Sequence, residues 1–269
     1  TFEFNLLETF PILTTNQVDM KLVFRLFLFA LKGCSDAGTL KDSGSDSTAL
    51  YSFLKDRVSI AAHEEKDDGL EDGDMGSWWG WLTRNWGVDY ETSDTNYSGP
   101  GRIDQLAKAT EDLRRERKSS ITLYNPSSDG FSVLSNRYAS LEFVVSPDRA
   151  YVDALVHVFH MEVIEEMKVD IPLFGLFLLA MSSFIGSRPR TLKFMVSDLW
   201  CPRREIVEKQ ILRTPLPFPV LSIRNHAKVR SPEDLDINSF ILKFQDTWSV
   251  ISLPHEDVTE IKGGGKKKG

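Results

Sequence analysis

The sequence predicts an α/β fold of the α+β kind, on three observations. Four short runs, at 120–124, 140–145, 151–159 and 191–196, are rich in β-branched and aromatic residues and read as strands. Between and around them lie segments of helical period. The 269 residues, 41% hydrophobic and 26% charged, suffice for one large domain with a sizeable core.

The elements follow in order. Thr15 and Asn16 offer capping side chains to a helix over 15–32 closed by Gly33. Val23, Phe24, Leu26, Phe27, Leu28 and Phe29 leave that helix almost no polar face, so it belongs in a core or an oligomer interface. Residues 37–75 break the pattern: a serine- and aspartate-rich loop, a short helix near 48–56 and an acidic run over 64–74 read as a surface insertion. Trp78, Trp79, Trp81 and Trp86 then form the densest aromatic group, read as packing in a core or interface, with a base-stacking platform as the alternative.

An amphipathic helix is expected over 102–118, with Ile103, Leu106, Ala107 and Leu113 at helical spacing. After the strands at 120–124, 140–145 and 151–159 comes an apolar helix over 171–184, ended by Gly186 and Pro189. That apolar run is shorter than the roughly 20 residues a bilayer span needs, so a core helix is expected and no membrane span. The strand at 191–196 leads to a helix near 203–213 and extended runs near 220–224, 240–244 and 248–253. Residues 263–269 form a flexible Gly/Lys tail after a domain covering 1–262. The chain opens at Thr1 inside an apparent strand, without an initiator Met, and so reads as a piece of something longer.

Composition narrows function. A net charge of −7 gives no blanket attraction to nucleic acid, although Lys266, Lys267 and Lys268 could touch RNA. Cys34 and Cys201 are too few for a disulfide framework, which suits an intracellular reducing compartment, mitochondrial or cytoplasmic. Cys201, followed by Arg203 and Arg204, could be an activated thiol, but no histidine lies near it and an incidental cysteine is the better reading. His157, His160, Glu162, Glu165 and Glu166 are metal-type ligands, yet 157 and 160 point to opposite faces of a strand, so no metal site is expected. No phosphate-binding glycine loop, nucleophile elbow or zinc-binding helix motif occurs, and no cofactor is expected.

Several segments carry a likeness. Phe2-Glu3-Phe4-Asn5-Leu6, Phe10-Pro11-Ile12-Leu13-Thr14-Thr15 and Leu31-Lys32-Gly33 come first. Asn96-Tyr97-Ser98-Gly99, Ile103-Asp104-Gln105-Leu106, Asn125-Pro126 and Pro215-Leu216-Pro217-Phe218-Pro219 follow. In this order they resemble the eukaryotic and protozoan bifunctional thymidylate synthases, over nearly the whole chain. The resemblance implies a mixed twisted sheet flanked by helices, dimerising through the backs of its sheets. It also implies methylation of dUMP by methylene-tetrahydrofolate, begun by a cysteine thiolate adding to the pyrimidine ring.

The residues for that chemistry do not appear at the matching positions. The family runs Asn-Pro, ten residues, then Cys-His; here Asn125-Pro126 leads at that spacing to Arg137-Tyr138, and a guanidinium is no nucleophile. The proton-relay glutamate of the first helix aligns with Leu26. The ribose-binding His and Tyr become Trp200 and Pro202, and an active-site Tyr becomes Trp79. The uracil-reading Asn falls near Asp170, which would suit cytosine better. Arg117 and Lys118 match a phosphate-binding Arg pair that reaches across the dimer, and the family's Gln-Arg-Ser strand falls near Val156-His157-Val158. The expectation is therefore a catalytically inactive thymidylate-synthase-like protein, a structural or interaction subunit of a homo- or heterodimer or larger assembly. The alternative is a divergent pyrimidine-nucleotide-binding or (hydroxy)methyltransferase protein using a non-cysteine site.

Overall fold

The computed structural model describes residues 1–7, 10–11, 20–36, 75–88, 101–126, 137–164 and 166–201. The tail 263–269, Pro202, Lys266 to Lys268 and the elements expected beyond 201 lie outside the described residues, as does nearly all of 37–75.

One five-stranded sheet organises the rest, built from β1 (Phe2–Asn5), β2 (Lys118–Thr122), β3 (Tyr138–Val145), β4 (Tyr151–Glu162) and β5 (Arg188–Trp200), in the order β1-β5-β4-β3-β2. β4 and β5 are parallel and every other pair is antiparallel. The helices are α1 (Met20–Lys32), α2 (Trp79–Leu82), α3 (Gln105–Glu116) and α4 (Met167–Ile185), the last forming the crossover between the parallel strands. This is the mixed, helix-flanked sheet expected.

Alternation along the strands decides which face is covered. Val152, Ala154, Val156 and Val158 of β4, Leu192 and Phe194 of β5, and Leu141 and Phe143 of β3 are buried on one face. Against it α4 packs on β4 and β5, and α3 packs on β2 and β3. α1 lies over α4, with Phe27 edge-on to Phe177 at 5.1 Å. Asp104 caps α3 by accepting a hydrogen bond from the Ala107 amide at 3.0 Å. The opposite sheet face has no helix on it among the described residues, and there Val144, Phe159, Met195 and Leu199 are exposed.

Several boundaries move. The apolar helix expected over 171–184 runs Met167–Ile185, because Lys168 and Asp170 join its first turn. At 19 residues it is longer than the run read from sequence and long and apolar enough to cross a membrane, and most of it is buried inside the protein, as in the core helix expected. β4 and β5 outrun their apolar stretches because each supplies the other's ladder through His160–Asp198 and Glu162–Trp200. The helix expected to 118 stops at Glu116, where Arg117 turns left-handed (φ 66°) and Lys118 enters β2.

The tryptophan group is core. Trp78, Trp79 and Trp81 are buried, Trp78 stacks on Phe29 at 5.0 Å, and its indole N–H donates to the Cys34 carbonyl at 2.6 Å. The base-stacking alternative falls with that burial, and so does any use of the group as a docking surface. Beside it the Met75 amide donates to the Ser35 carbonyl at 2.8 Å, so the chain returns after residue 74 to the place it left after 36.

Candidate functional site

The site grows from the junction of β3 with α4. Arg137 immediately precedes β3, and its carbonyl accepts from the Phe159 amide of neighbouring β4 at 2.8 Å, which fixes the backbone. Glu166 and Asp170 stand four residues apart at the start of α4, so a helix places both carboxylates on one side. Arg137 Nη1 lies 2.5 Å from Glu166 Oε2 and 3.5 Å from Asp170 Oδ2. Its Nη2 donates to the Tyr138 hydroxyl at 3.1 Å.

Burial makes this cluster consequential. The Arg137 side chain is 11% exposed and that of Asp170 only 2%. Burial alone would push the guanidinium's pKa down, but Asp170, Tyr138 and Glu166 together raise it above the ordinary arginine value. The group is a permanent cation held between two carboxylates.

Glu166 serves twice. Its Oε2 also accepts from the Glu162 amide at 2.7 Å, while Glu162 accepts from the Ile164 amide at 2.8 Å and the Glu166 amide at 3.3 Å. The turn from β4 into α4 is thus closed by reciprocal carboxylate–amide bonds, a means of satisfying orphan amides at a helix start.

Under the guanidinium lies an aromatic floor. Tyr138 is 1% exposed and meets Phe174 edge-on at 5.0 Å and Trp79 at 5.6 Å. Trp79 also packs on Phe174 at 5.6 Å and Phe177 at 5.8 Å. Arg137, Tyr138, Trp79 and Asp170, drawn from three places in the sequence, are therefore brought together. Leu26 is buried on α1, whose packing is with α2 and α4. Trp200 ends β5 and is 47% exposed, its carbonyl accepting from the Val163 amide at 3.2 Å.

The other candidates are elsewhere. Arg117 and Lys118 sit exposed where α3 meets β2, at the far end of β3 from Arg137 and about 25 Å away along the strand. His157 lies 3.1 Å from Glu142 on the open sheet face. Glu162 and Glu166 are spent on backbone amides and Arg137, and no group of three metal-type side chains forms among the described residues. Cys201 is exposed just past β5.

Comparison with known proteins fits this geometry to a family. The model of the thymidylate synthase family matches residues 1–254. This chain belongs to the thymidylate synthase family. Thymidylate synthase 1/2 of Encephalitozoon cuniculi is 26% identical over 266 residues, covering 94% of this chain and 85% of that protein. Human thymidylate synthase is 25% identical over 249 residues, covering 88% of this chain and 74% of its own length. The bifunctional dihydrofolate reductase-thymidylate synthase of Zea mays is 25% identical over 246 residues, covering 88% of this chain but 44% of the relative. These relatives carry the names of working enzymes. Arg137 and Asp170, which the motif spacing led us to expect at the nucleophile's position and near the base-reading position, form an ion pair here. Sequence reading missed Glu166 as the partner of Arg137. The signal was Glu166 and Asp170 at four-residue spacing, which a helix start turns into one acidic side.

Proposed function

We propose that this member of the thymidylate synthase family has left the family chemistry and works through its surfaces, as a structural or interaction subunit of a larger assembly. The observation that carries this reading is the Arg137–Glu166–Asp170 cluster. Nucleophilic addition needs a thiolate able to approach the pyrimidine ring, and a buried guanidinium clamped by two carboxylates neither adds nor leaves. The Asp170 carboxylate, which the resemblance assigns to base reading, faces that guanidinium instead. Aromatic rings fill the volume below. On the other side of the sheet, Val144, Phe159, Met195 and Leu199 offer apolar surface to a second copy, an active synthase or another protein.

The test is direct. The purified chain, mixed with dUMP and methylene-tetrahydrofolate, is expected to release no methylated or hydroxymethylated nucleotide, and Arg137→Cys alone is expected not to start the reaction. Turnover that disappears on replacing Tyr138 would refute the proposal.

One observation favours a nucleotide-binding alternative: Arg117 and Lys118 are exposed and make no ion pair among the described residues. A nucleotide at 100 times its dissociation constant should stabilise the fold by about 2.7 kcal/mol. Thermal melts with dUMP, dCMP, UMP and CMP that all leave the transition unmoved would dispose of it.

A further inference from the structure

We infer that Ser120 is a modification site, phosphorylated from ATP by a protein kinase with an acidic peptide groove, and that the phosphate turns partners away from the open sheet face. The site stands on its own; its effect on partners rests on the docking role proposed above.

The residues before Ser120 supply the recognition. Arg115, Arg117 and Lys118 stand five, three and two positions upstream, and all three are exposed. A carboxylate-lined groove selects a substrate chain by such a pattern of cations. The Arg115 guanidinium is held only by an exposed surface bridge to Glu111 at 2.5 Å, which a groove can replace at little cost.

Geometry leaves the hydroxyl within reach. Ile121 is buried beneath α3, so its neighbour Ser120 points to the opposite, helix-free face, where it is exposed. β2 is the outer strand of the sheet. The Val145 amide donates to the Arg117 carbonyl and the Leu123 amide to the Ala139 carbonyl, so alternate residues bond to β3. The backbones of Lys118, Ser120 and Thr122 therefore turn outward. The Gln105 side chain covers Thr122, accepting from its amide and donating to its carbonyl at 2.9 Å each. No comparable clamp reaches Lys118 or Ser120 among the described residues, so an extended-chain reader meets a strand tied along one side.

Neighbouring charges set the consequence. Ser120 lies opposite Glu142, whose carboxylate is 3.1 Å from His157 Nε2. A phosphate adds a charge of about −1.5 to −2 beside that carboxylate, where like charges repel. The other pairs of this face, Arg190–Asp153 and Lys193–Glu3, are internally balanced. Modification thus gives a balanced face a net anion next to exposed Val144, and an apolar partner would have to desolvate it. In the transfer the Ser120 oxygen bonds to the γ-phosphorus as the bond to the β-phosphate oxygen breaks. ADP leaves, and the hydroxyl proton passes to the kinase's base.

The test incubates the full chain with Mg·ATP and a kinase that selects basic peptides, followed by peptide mass spectrometry. A single phosphate on Ser120 of the folded chain is expected, and none on Ser120→Ala. Arg117→Gly keeps the left-handed turn (φ 66°) without strain and should melt no lower than the parent. It should nonetheless be labelled about tenfold more slowly, the worth of one charge-assisted contact. Light scattering of the labelled chain should show association weakened by about tenfold or more. Absence of label, label only after unfolding, or full-rate labelling of Arg117→Gly would overturn the site. Label that leaves the mass of an associating chain unchanged would overturn the effect. A chain that is labelled but never associates supports the site and counts against the docking role.

Discussion

The two faces of the one sheet are put to opposite uses. On the helix-covered face, charged and aromatic groups are consumed internally: Arg137 by Glu166 and Asp170, and Tyr138 by Trp79 and Phe174. On the open face the charges are also paired, but across neighbouring strands and in contact with water: Arg190 with Asp153, His157 with Glu142, Lys193 with Glu3. Apolar side chains stand exposed among those pairs. The first arrangement closes a site; the second leaves a surface whose charges are already balanced, so an apolar partner can cover it without stranding an ion.

The strongest way to break this contrast is Arg137→Ala. Removing one partner from a buried ion cluster leaves uncompensated carboxylates and should cost about 3–5 kcal/mol in denaturant unfolding. If the cluster is a filler that could be replaced, Arg137→Met combined with Glu166→Gln and Asp170→Asn should recover most of that loss. A cost for Arg137→Ala below about 1 kcal/mol would mean that water reaches the cluster and that the pocket is open. Next in size is Phe174→Leu, a shape change in the aromatic floor, expected to cost on the order of 1–3 kcal/mol.

The open face should answer differently. Met195→Asp is expected to change monomer stability by no more than about 0.5 kcal/mol, while light scattering shows any self-association lost. A large stability loss without a change in mass would show that the face is already covered within the chain. Smallest is the acid response. Burial raises the Asp153 pKa, but bonds from Arg190 and Thr191 outweigh it and hold the carboxyl below its usual range. A group depressed in the folded state contributes stability above its unfolded pKa of about 3.9, lost as pH falls through the lower folded value. Asp153→Asn should therefore lower stability slightly at neutral pH and remove the decline below about pH 4, so that variant and parent converge in acid.

Much of the architecture was legible in sequence because periodicity reports burial. Leu141, Phe143 and Val145 alternate, and α4 is apolar around its whole circumference. What periodicity could not give was the extent of β4 and β5, since His160, Asp198 and Trp200 are held in strands by a parallel neighbour rather than by their own preference. Tryptophan density could not distinguish a platform from a core, because stacking on a nucleotide and stacking on Phe29 ask for the same ring. At the candidate site, matching the motif spacing placed Arg137, Tyr138 and Asp170, and the structure brought them together. The same matching set Trp200 beside them, whereas it ends its strand half exposed. Glu166 was passed over because its four-residue spacing from Asp170 marks an acidic helix start but does not say which distant cation it meets.

The hydrogen bond from Met75 to Ser35 has a practical consequence. Two points so close in space can be joined by a connection of almost any length, because loop-closure entropy grows only by about 0.6 kcal/mol for each doubling. Positions 37–74 are thus an address at which an affinity tag or a photo-crosslinker can be inserted with the sheet and its two faces left intact. A probe seated there would test whether the protein has neighbours and identify those it meets.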